Sequence, residues 1–189
     1  MDLDAVVRAL GDGNPEVRDA ALEALEGLYV QCDSGTCTTD PEVARVALPA
    51  AIAALSDPDP GVRMSATRAL RLLASDGGPA ASALAAALSD PVPELRLEIL
   101  GTLGEMGERA AATAHRVAEY LEHGASADER SAAAYALGNL GVPDEQVDRL
   151  VAALVDDEPS VQAGAAYALS IALERGSAHA SQALRRLRP

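Results

Sequence analysis

One phrase recurs along this chain and constrains its fold more than any other feature. It reads GDGNPEVRDAALEAL at residues 11–25, SDPDPGVRMSATRAL at 56–70, SDPVPELRLEILGTL at 89–103 and, less closely, VDDEPSVQAGAAYAL at 155–169. Each copy joins an acidic, proline-containing turn to a segment with the apolar spacing of a helix. Self-similarity at this period indicates an array of stacked supersecondary units.

Alignment of the copies on the turn gives five anchor positions. The anchors are Pro15, Pro60, Pro93, Ala127 and Pro159, spaced by 45, 33, 34 and 32 residues. Leucine recurs ten positions after each anchor, at Leu25, Leu70, Leu103, Leu137 and Leu169. A second amphipathic segment precedes every anchor, so each repeat is predicted to consist of a helix, a turn and a helix. Stacked hairpins of this kind bury a continuous core that one pair cannot form alone.

Start and stop signals set the predicted boundaries. Asn14, Asp59 and Ser126 are suited to cap second helices at their N-termini, and Gly107 and Gly141 are suited to end them. The sequence predicts a single domain over residues 1–189. Its repeats are placed at 2–30, 41–76, 78–107, 108–141 and 143–175, with a capping helix at 177–188 and an inserted loop at 31–40.

The pattern L-x-D-x-x-P-x-V-R-x-x-A-x-x-x-L, read at Leu10–Leu25 and Leu55–Leu70, resembles the HEAT repeat, particularly the short PBS-lyase type. The resemblance implies an all-α fold, a right-handed α-α superhelix (α-solenoid) of about five hairpins plus a C-terminal capping helix. It also implies a ladder of ion pairs between adjacent layers, with arginine three positions after the anchor. These arginines are Arg18, Arg63, Arg96 and Arg130. Gly124 replaces the aspartate that Arg96 would meet, and Gln162 replaces the last arginine.

For function the resemblance is nearly silent, because the family includes scaffolds, transport factors, regulators and a few enzyme-associated subunits. It implies that the second helices line a concave face. We therefore expect a scaffold or adaptor that binds a peptide or protein partner on that face. The alternative is an enzyme-associated subunit such as a bilin lyase, although nothing beyond the repeat predicts a tetrapyrrole site.

Candidate partner-binding residues lie on the side of the second helices opposite the buried columns. They are Met64, Arg68, Arg71, Leu97, Gly101, Tyr135 and Tyr167. Tyr135 and Tyr167 occupy the same position in consecutive repeats and should lie side by side. Gly101, Gly104 and Gly138 would leave a shallow trough beside them. The alternative is that these residues pack at the seam between layers.

The first repeat carries an acidic rim at the positions that these residues occupy in the other repeats. The rim consists of Glu16, Asp19, Glu23 and Glu26, and it suits a partner with a basic end. The three arginines at the C-terminus, Arg185, Arg186 and Arg188, could dock on the rim of another copy. The sequence therefore predicts a monomer or a weak homo-oligomer.

Net charge restricts the partner class further. The chain has 29 acidic residues against 15 basic ones, and its formal charge is -14. Nucleic acid is disfavoured as a partner, because neutralising phosphates requires a surplus of cationic side chains. For the same reason we do not expect this protein to act like the HEAT-like DNA glycosylases, which bind DNA through a cationic face. All the basic residues are arginine, which fits a GC-rich genome or a salt-in halophile such as a halophilic archaeon. The acid excess favours the halophile.

Two cysteines, Cys32 and Cys37, lie in the insertion, and three interpretations stay open for them. Zinc binding is disfavoured because it needs about four ligands and the histidines, His115, His123 and His179, are remote in sequence. Free thiols are favoured over a disulfide, since cytosolic chains rarely keep one.

Catalysis and membrane insertion are not predicted. No nucleophile motif accompanies the three histidines and no glycine-rich phosphate loop is present, so we expect a non-enzymatic protein without cofactor or metal. The N-terminal sequence MDLDAVVRALGD lacks the basic region of a signal peptide, and no apolar run is long enough to span a bilayer. A cytoplasmic location is expected, without a membrane partner.

Overall fold

The computed structural model describes residues 2–33, 36–39, 41–73 and 78–186. Within them lie eleven α-helices, and they confirm the predicted all-α fold of five hairpins followed by one further helix. The helices are α1 (Leu3–Ala9), α2 (Pro15–Tyr29), α3 (Pro41–Ala54), α4 (Pro60–Leu73), α5 (Gly78–Ala87), α6 (Pro93–Met106), α7 (Ala114–His123), α8 (Ala127–Leu140), α9 (Val147–Ala153), α10 (Pro159–Glu174) and α11 (Ala178–Arg186). Short 3-10 helices at Gly107–Thr113 and Asp144–Gln146 precede α7 and α9.

The insertion contains a β-hairpin, so its assignment as a loop at 31–40 was wrong. Strand β1 (Val30–Asp33) pairs antiparallel with β2 (Thr36–Thr39), and Cys32 lies opposite Cys37 in the register. The serine, glycine and aspartate of the segment suggested a loop, but its valine and threonines favour paired strands. Asp40 and the side chains of both cysteines lie outside the described residues. The three interpretations of the thiols therefore stay predictions.

Contacts divide the chain into two compact units, Met1–Glu98 and Ile99–Pro189. In the first unit, α2 packs against α1, α3 and α4, and α3 also packs against α4 and α5. Its core is built from leucine and alanine, including the fully buried Leu22, Leu25 and Leu70. Burial of each leucine side chain contributes about 1.5–3 kcal/mol.

In the second unit α8 is the central helix. It packs against α7, α10 and the 3-10 helix at Gly107–Thr113, while α9 packs against α7, α10 and α11. The predicted leucine column is buried here too, at Leu103, Leu137 and Leu169. Alanine fills most of the remaining core, which lets the helices approach closely.

The predicted N-caps are present at all three positions. Asn14 accepts a hydrogen bond from the backbone N–H of Glu16, and Asp59 accepts one from that of Gly61. Ser126 Oγ accepts from the N–H of Glu129, whose own buried carboxylate accepts from the N–H of Ala125. In the fourth repeat, glutamate thus occupies an otherwise apolar column of the alignment, and its carboxylate fixes the start of α8.

Gly141 and Gly107 end α8 and α6 with positive φ angles of 85° and 58°, as the sequence predicted. None of the helices in the described part of the chain has the length and apolar character needed to cross a bilayer.

Candidate functional site

The predicted ladder is present as three two-pronged ion pairs. Arg18 donates to both carboxylate oxygens of Asp57 at 2.7 Å. Arg63 donates to Asp90 at 2.6 and 3.1 Å. In the second unit, Arg130 donates to Asp156 at 2.9 Å through two nitrogens. Paired N–H···O bonds from a planar guanidinium fix the distance and orientation of the two turns that they join.

Two of these arginines, Arg18 and Arg63, and also Arg96 close their own turns. Each of these three sends a guanidinium nitrogen to the carbonyl oxygen of the aspartate in its own turn, and Gln162 makes the equivalent bond. These bonds run from Arg18 to Asp12, from Arg63 to Asp57, from Arg96 to Asp90 and from Gln162 to Asp156, at 2.8, 2.9, 2.8 and 2.7 Å. Glutamine at position 162 thus keeps the bond within the turn with its single amide nitrogen, whereas arginine has further nitrogens for a neighbouring aspartate.

The ladder shifts the pKa of its carboxyl groups downward. The hydrogen bonds from Arg18 and Arg130 hold the pKa of Asp57 and of Asp156 below the ordinary range. Burial raises the pKa of Asp90, but hydrogen bonds from Arg63 and the Val92 N–H outweigh it, and the pKa is lowered. All three carboxylates are therefore ionised and occupied by partners at neutral pH. We assign the ladder a structural role.

One second-helix position of the repeat is exposed in every hairpin. It lies eight residues after the anchor and is occupied by Glu23, Arg68, Gly101, Tyr135 and Tyr167. Its composition changes from charged in the first unit to uncharged in the second. Because this exposed position is not needed for the core, these residues are available for recognition.

In the first unit the candidate residues are only partly accessible. Met64, Leu97 and Arg71 are half-buried, and Arg68 is exposed. The Arg68 guanidinium forms an ion pair with Glu98 at 3.3 Å, so the charge of this candidate residue is partly neutralised within the protein.

The two tyrosines in the second unit form an aromatic pair, which we call the tyrosine face. The rings of Tyr135 and Tyr167 are 5.3 Å apart between centroids and tilted by 40°. Their side-by-side arrangement was predicted, and they remain 42% and 37% exposed. Tyr167 Oη donates to Asn139 Oδ1 at 2.7 Å, and this bond orients the side chains of Tyr167 and Asn139. The face is amphipathic, because each ring combines an apolar surface with a phenolic hydroxyl group.

The trough expected from the glycines is present at only one of them. A Cβ on Gly101 would have nothing within 4 Å, and this residue is exposed. Gly104 and Gly138 are buried, and a Cβ on Gly138 would lie 2.9 Å from Tyr167 Cε1 and 3.0 Å from Ala168 Cα. These two glycines permit close helix contact, as the seam interpretation proposed. Helical periodicity gives the direction of a residue but not the distance to the next helix.

The acidic rim of the first hairpin is largely accessible. Glu16 and Glu23 are exposed, and Asp19 is half-buried. Asp19 Oδ1 is buried without a hydrogen-bond donor among the described residues. The side chain of Glu26 lies outside the described part of the structure. The exposed members keep a concentration of negative charge at this hairpin.

The histidines lie apart from these features. His123 is near Glu122 at 3.8 Å, His179 is near Asp148 at 3.3 Å, and His115 is exposed. Among the residues that the structure describes, no group of three or more histidine, cysteine, aspartate or glutamate side chains is arranged to hold a metal ion.

Sequence comparison identifies the repeat in most of the chain. A family model described as HEAT repeats matches residues 48–121 and 114–188. A second, described as HEAT repeat, matches residues 3–32. No curated protein matches the chain.

Solved structures with this fold include natural and designed repeat proteins. An archaeal HEAT-like repeats protein from Thermococcus onnurineus NA1 is 20% identical with a TM-score of 0.62, and the match covers 91% of this chain and 70% of that one. A designed armadillo repeat protein in complex with the peptide (KR)4 is 18% identical with a TM-score of 0.64, covering 90% and 81%. An engineered protein is 20% identical with a TM-score of 0.63, covering 99% and 89%. At these identities the likeness shows the fold alone, an α-solenoid.

Proposed function

Because this chain belongs to the HEAT repeat family, we propose that it is a protein-binding scaffold whose second helices receive a peptide or protein partner. Solenoids of this type present the second helices on a concave surface, and specificity comes from side chains outside the repeating core. The observation that carries the proposal is the tyrosine face. Its two aromatic rings are 5.3 Å apart between centroids, and both side chains remain more than a third exposed.

A partner segment that suits the tyrosine face carries apolar or aromatic side chains, and a segment that suits the acidic rim is basic. Tyrosine contributes a large contact area, and its ring face attracts arginine and lysine cations. The rim supplies negative charge at Glu16 and Glu23. One structural neighbour, the designed armadillo repeat protein, is in complex with (KR)4, and this peptide is a suitable first probe.

The proposal is tested by binding of fluorescent (KR)4 and of peptides selected from a random library. Tyr135→Ala combined with Tyr167→Ala should weaken the selected peptides about tenfold or more, while Tyr135→Phe combined with Tyr167→Phe should retain most affinity. Val155→Ala is the matched control, because Val155 is exposed but does not lie on a second helix. A library that yields no specific binder, or binders indifferent to the tyrosines, would overturn the proposal.

Charge recognition is tested separately. Glu16→Gln combined with Glu23→Gln should weaken (KR)4 and reduce the salt dependence of its binding, because the rim acts through screened Coulomb attraction. The competing prediction, a subunit that acts on a bound chromophore, is distinguished by the visible absorption spectrum of the native protein. A bilin bound to the isolated protein would favour that alternative.

A further inference from the structure

The contacts of two glycines show which side of a second helix faces which neighbour. A Cβ on Gly164 of α10 would lie 2.9 Å from Ala134 Cβ and 3.1 Å from Ser131 O, both on the preceding helix α8. A Cβ on Gly138 of α8 would meet Tyr167 and Ala168 of the following helix α10. Each second helix thus has a backward side, which carries Gly164 and Ala168 in α10, and a forward side, which carries Ala134 and Gly138 in α8.

The first hairpin leaves its backward side open. The position two residues after the anchor belongs to this side, and Val62, Leu95, Glu129 and Val161 are at most 1% exposed there. Val17 occupies the same position in α2 and is 37% exposed. Ala20 is also exposed, and Ala24 is half-buried, whereas Ala69 and Ala168 at the position of Ala24 are fully buried. We call Val17, Ala20 and Ala24 the backward end.

The last hairpin leaves its forward side open in the same way. Seven residues after the anchor, Leu22, Thr67, Leu100 and Ala134 are fully buried, but Ala166 is exposed. Ser170 is exposed where Gly104 and Gly138 are buried, and Leu173 on the same helix is 41% exposed. Helix α11 packs against α9 and α10 but leaves these residues accessible. We call Ala163, Ala166, Ser170 and Leu173 the forward end.

We propose that the forward end of one molecule binds the backward end of a second copy of this chain. The two ends are the two halves of the contact that α8 and α10 make within the protein. Small side chains on the forward end leave room for Val17, much as Gly138 leaves room for Tyr167. A contact between the two ends removes Val17 and Leu173, two of the exposed large hydrophobic residues among those described, from water.

Charge supports the second copy as the occupant. The first hairpin exposes Asp12, Glu16 and Glu23, while α11 exposes Arg185 and Arg186 beside the last hairpin. A backward end that meets a forward end brings the acidic residues toward these arginines, and this favours the head-to-tail orientation over a symmetric one. Because the two ends differ, the contact is heterologous and leaves one free end of each kind to add further copies.

The test is sedimentation velocity and light scattering of the full chain from low micromolar to near-millimolar concentration, at physiological and at elevated salt. High salt screens the repulsion between molecules of net charge -14. We expect the average mass to rise with concentration beyond that of a dimer. Ala20→Arg and Ala166→Arg each place a bulky cation at the centre of one end and should each reduce the association about tenfold or more.

An equimolar mixture of the two variants tests the orientation. The Ala20→Arg protein keeps its forward end and the Ala166→Arg protein keeps its backward end, so the mixture should form dimers but no larger species. Ala53→Arg, at an exposed position of the first helix α3, is the matched control and should associate like the wild type. Circular dichroism verifies that all three variants remain folded.

Three outcomes would overturn the proposal. The first is a wild-type chain that stays monomeric over the whole range of concentration and salt. The second is association that Ala20→Arg or Ala166→Arg leaves unchanged. The third is a mixture of the two variants that remains monomeric while the wild type associates. None of these outcomes bears on peptide binding by the tyrosine face, which is measured independently.

Discussion

Arg63 on α4 holds both carboxylate oxygens of Asp90, at 2.6 and 3.1 Å, and also donates to the carbonyl oxygen of Asp57 at 2.9 Å. A single side chain thus joins two turns of the first unit and closes one of them. Its guanidinium and its partner carboxylate are both about nine-tenths buried. Such a pair is costly to break on one side only, because the remaining charge stays desolvated.

We therefore predict that Arg63→Ala lowers the free energy of unfolding by about 2–3 kcal/mol, mainly through lost charged hydrogen bonds. Arg63→Lys should recover only part of the loss, because an ammonium group cannot make the two-pronged contact. Arg45→Ala is the control. Its partner Glu42 is three residues away and both side chains are exposed, so its effect should stay below about 1 kcal/mol. Urea unfolding measures all three, and equal losses at Arg63 and Arg45 would refute the structural role of the ladder.

The ladder should also make stability depend on acid pH. Asp57, Asp90 and Asp156 have pKa values below the ordinary aspartate value of about 3.9, so the unfolded chain takes up their protons first as the pH falls. Their contribution is complete above about pH 5 and is lost as the pH falls through the folded-state pKa values.

The pH dependence is measured as the urea midpoint between neutral and acid pH at fixed salt, for the wild type and for Asp156→Asn. The difference between the two proteins removes the general effect of net charge. This difference should be constant near neutrality and should shrink below about pH 4. A difference that stays constant into acid would mean that the Arg130 pair does not stabilise the fold.

Two glycines of the second unit provide a matched pair of substitutions. Gly101→Ala adds a methyl group to open space within a helix and should stabilise the protein by about 0.5–1 kcal/mol. Gly138→Ala pushes against the backbone of Ala168 and the ring of Tyr167, and should destabilise it by about 1 kcal/mol or more. Thermal and urea unfolding give both values. Equal effects of the same sign would contradict the close contact between α8 and α10.

The tyrosine face should matter more for binding than for stability. Tyr135→Ala should cost clearly less than Leu137→Ala, because Tyr135 is 42% exposed and Leu137 is fully buried. Leu137→Ala leaves a cavity and should cost about 2–5 kcal/mol. Urea unfolding compares the two variants. A larger loss at Tyr135 than at Leu137 would show that the aromatic pair serves packing.

The sequence predicted the parts of this fold that repeat. Five aligned leucines, the turn prolines and the caps identify the hairpins, because each of these residues has the same task in every layer. The resemblance to HEAT repeats further supplied the partners of Arg18, Arg63 and Arg130. It did not reveal that Gln162 keeps the bond within its turn, since that bond depends on a carbonyl oxygen that every residue carries.

Features that depend on the distance between helices could not be predicted. Periodicity placed Gly104 and Gly138 on the accessible side, but their burial follows from how closely α6 and α10 approach α8 in the second unit. Likewise, Val17 and Val161 occupy the same position of the repeat, and only the arrangement of neighbouring hairpins leaves Val17 exposed and buries Val161.

The central claim is that a partner binds to the second helices, and hydrogen exchange with and without a library-selected peptide tests it most directly. We predict slower exchange on binding along α8 and α10, centred on Tyr135 and Tyr167, with α7 and α9 unchanged. Protection confined to α7, α9 or the first helices of the other unit would contradict the account.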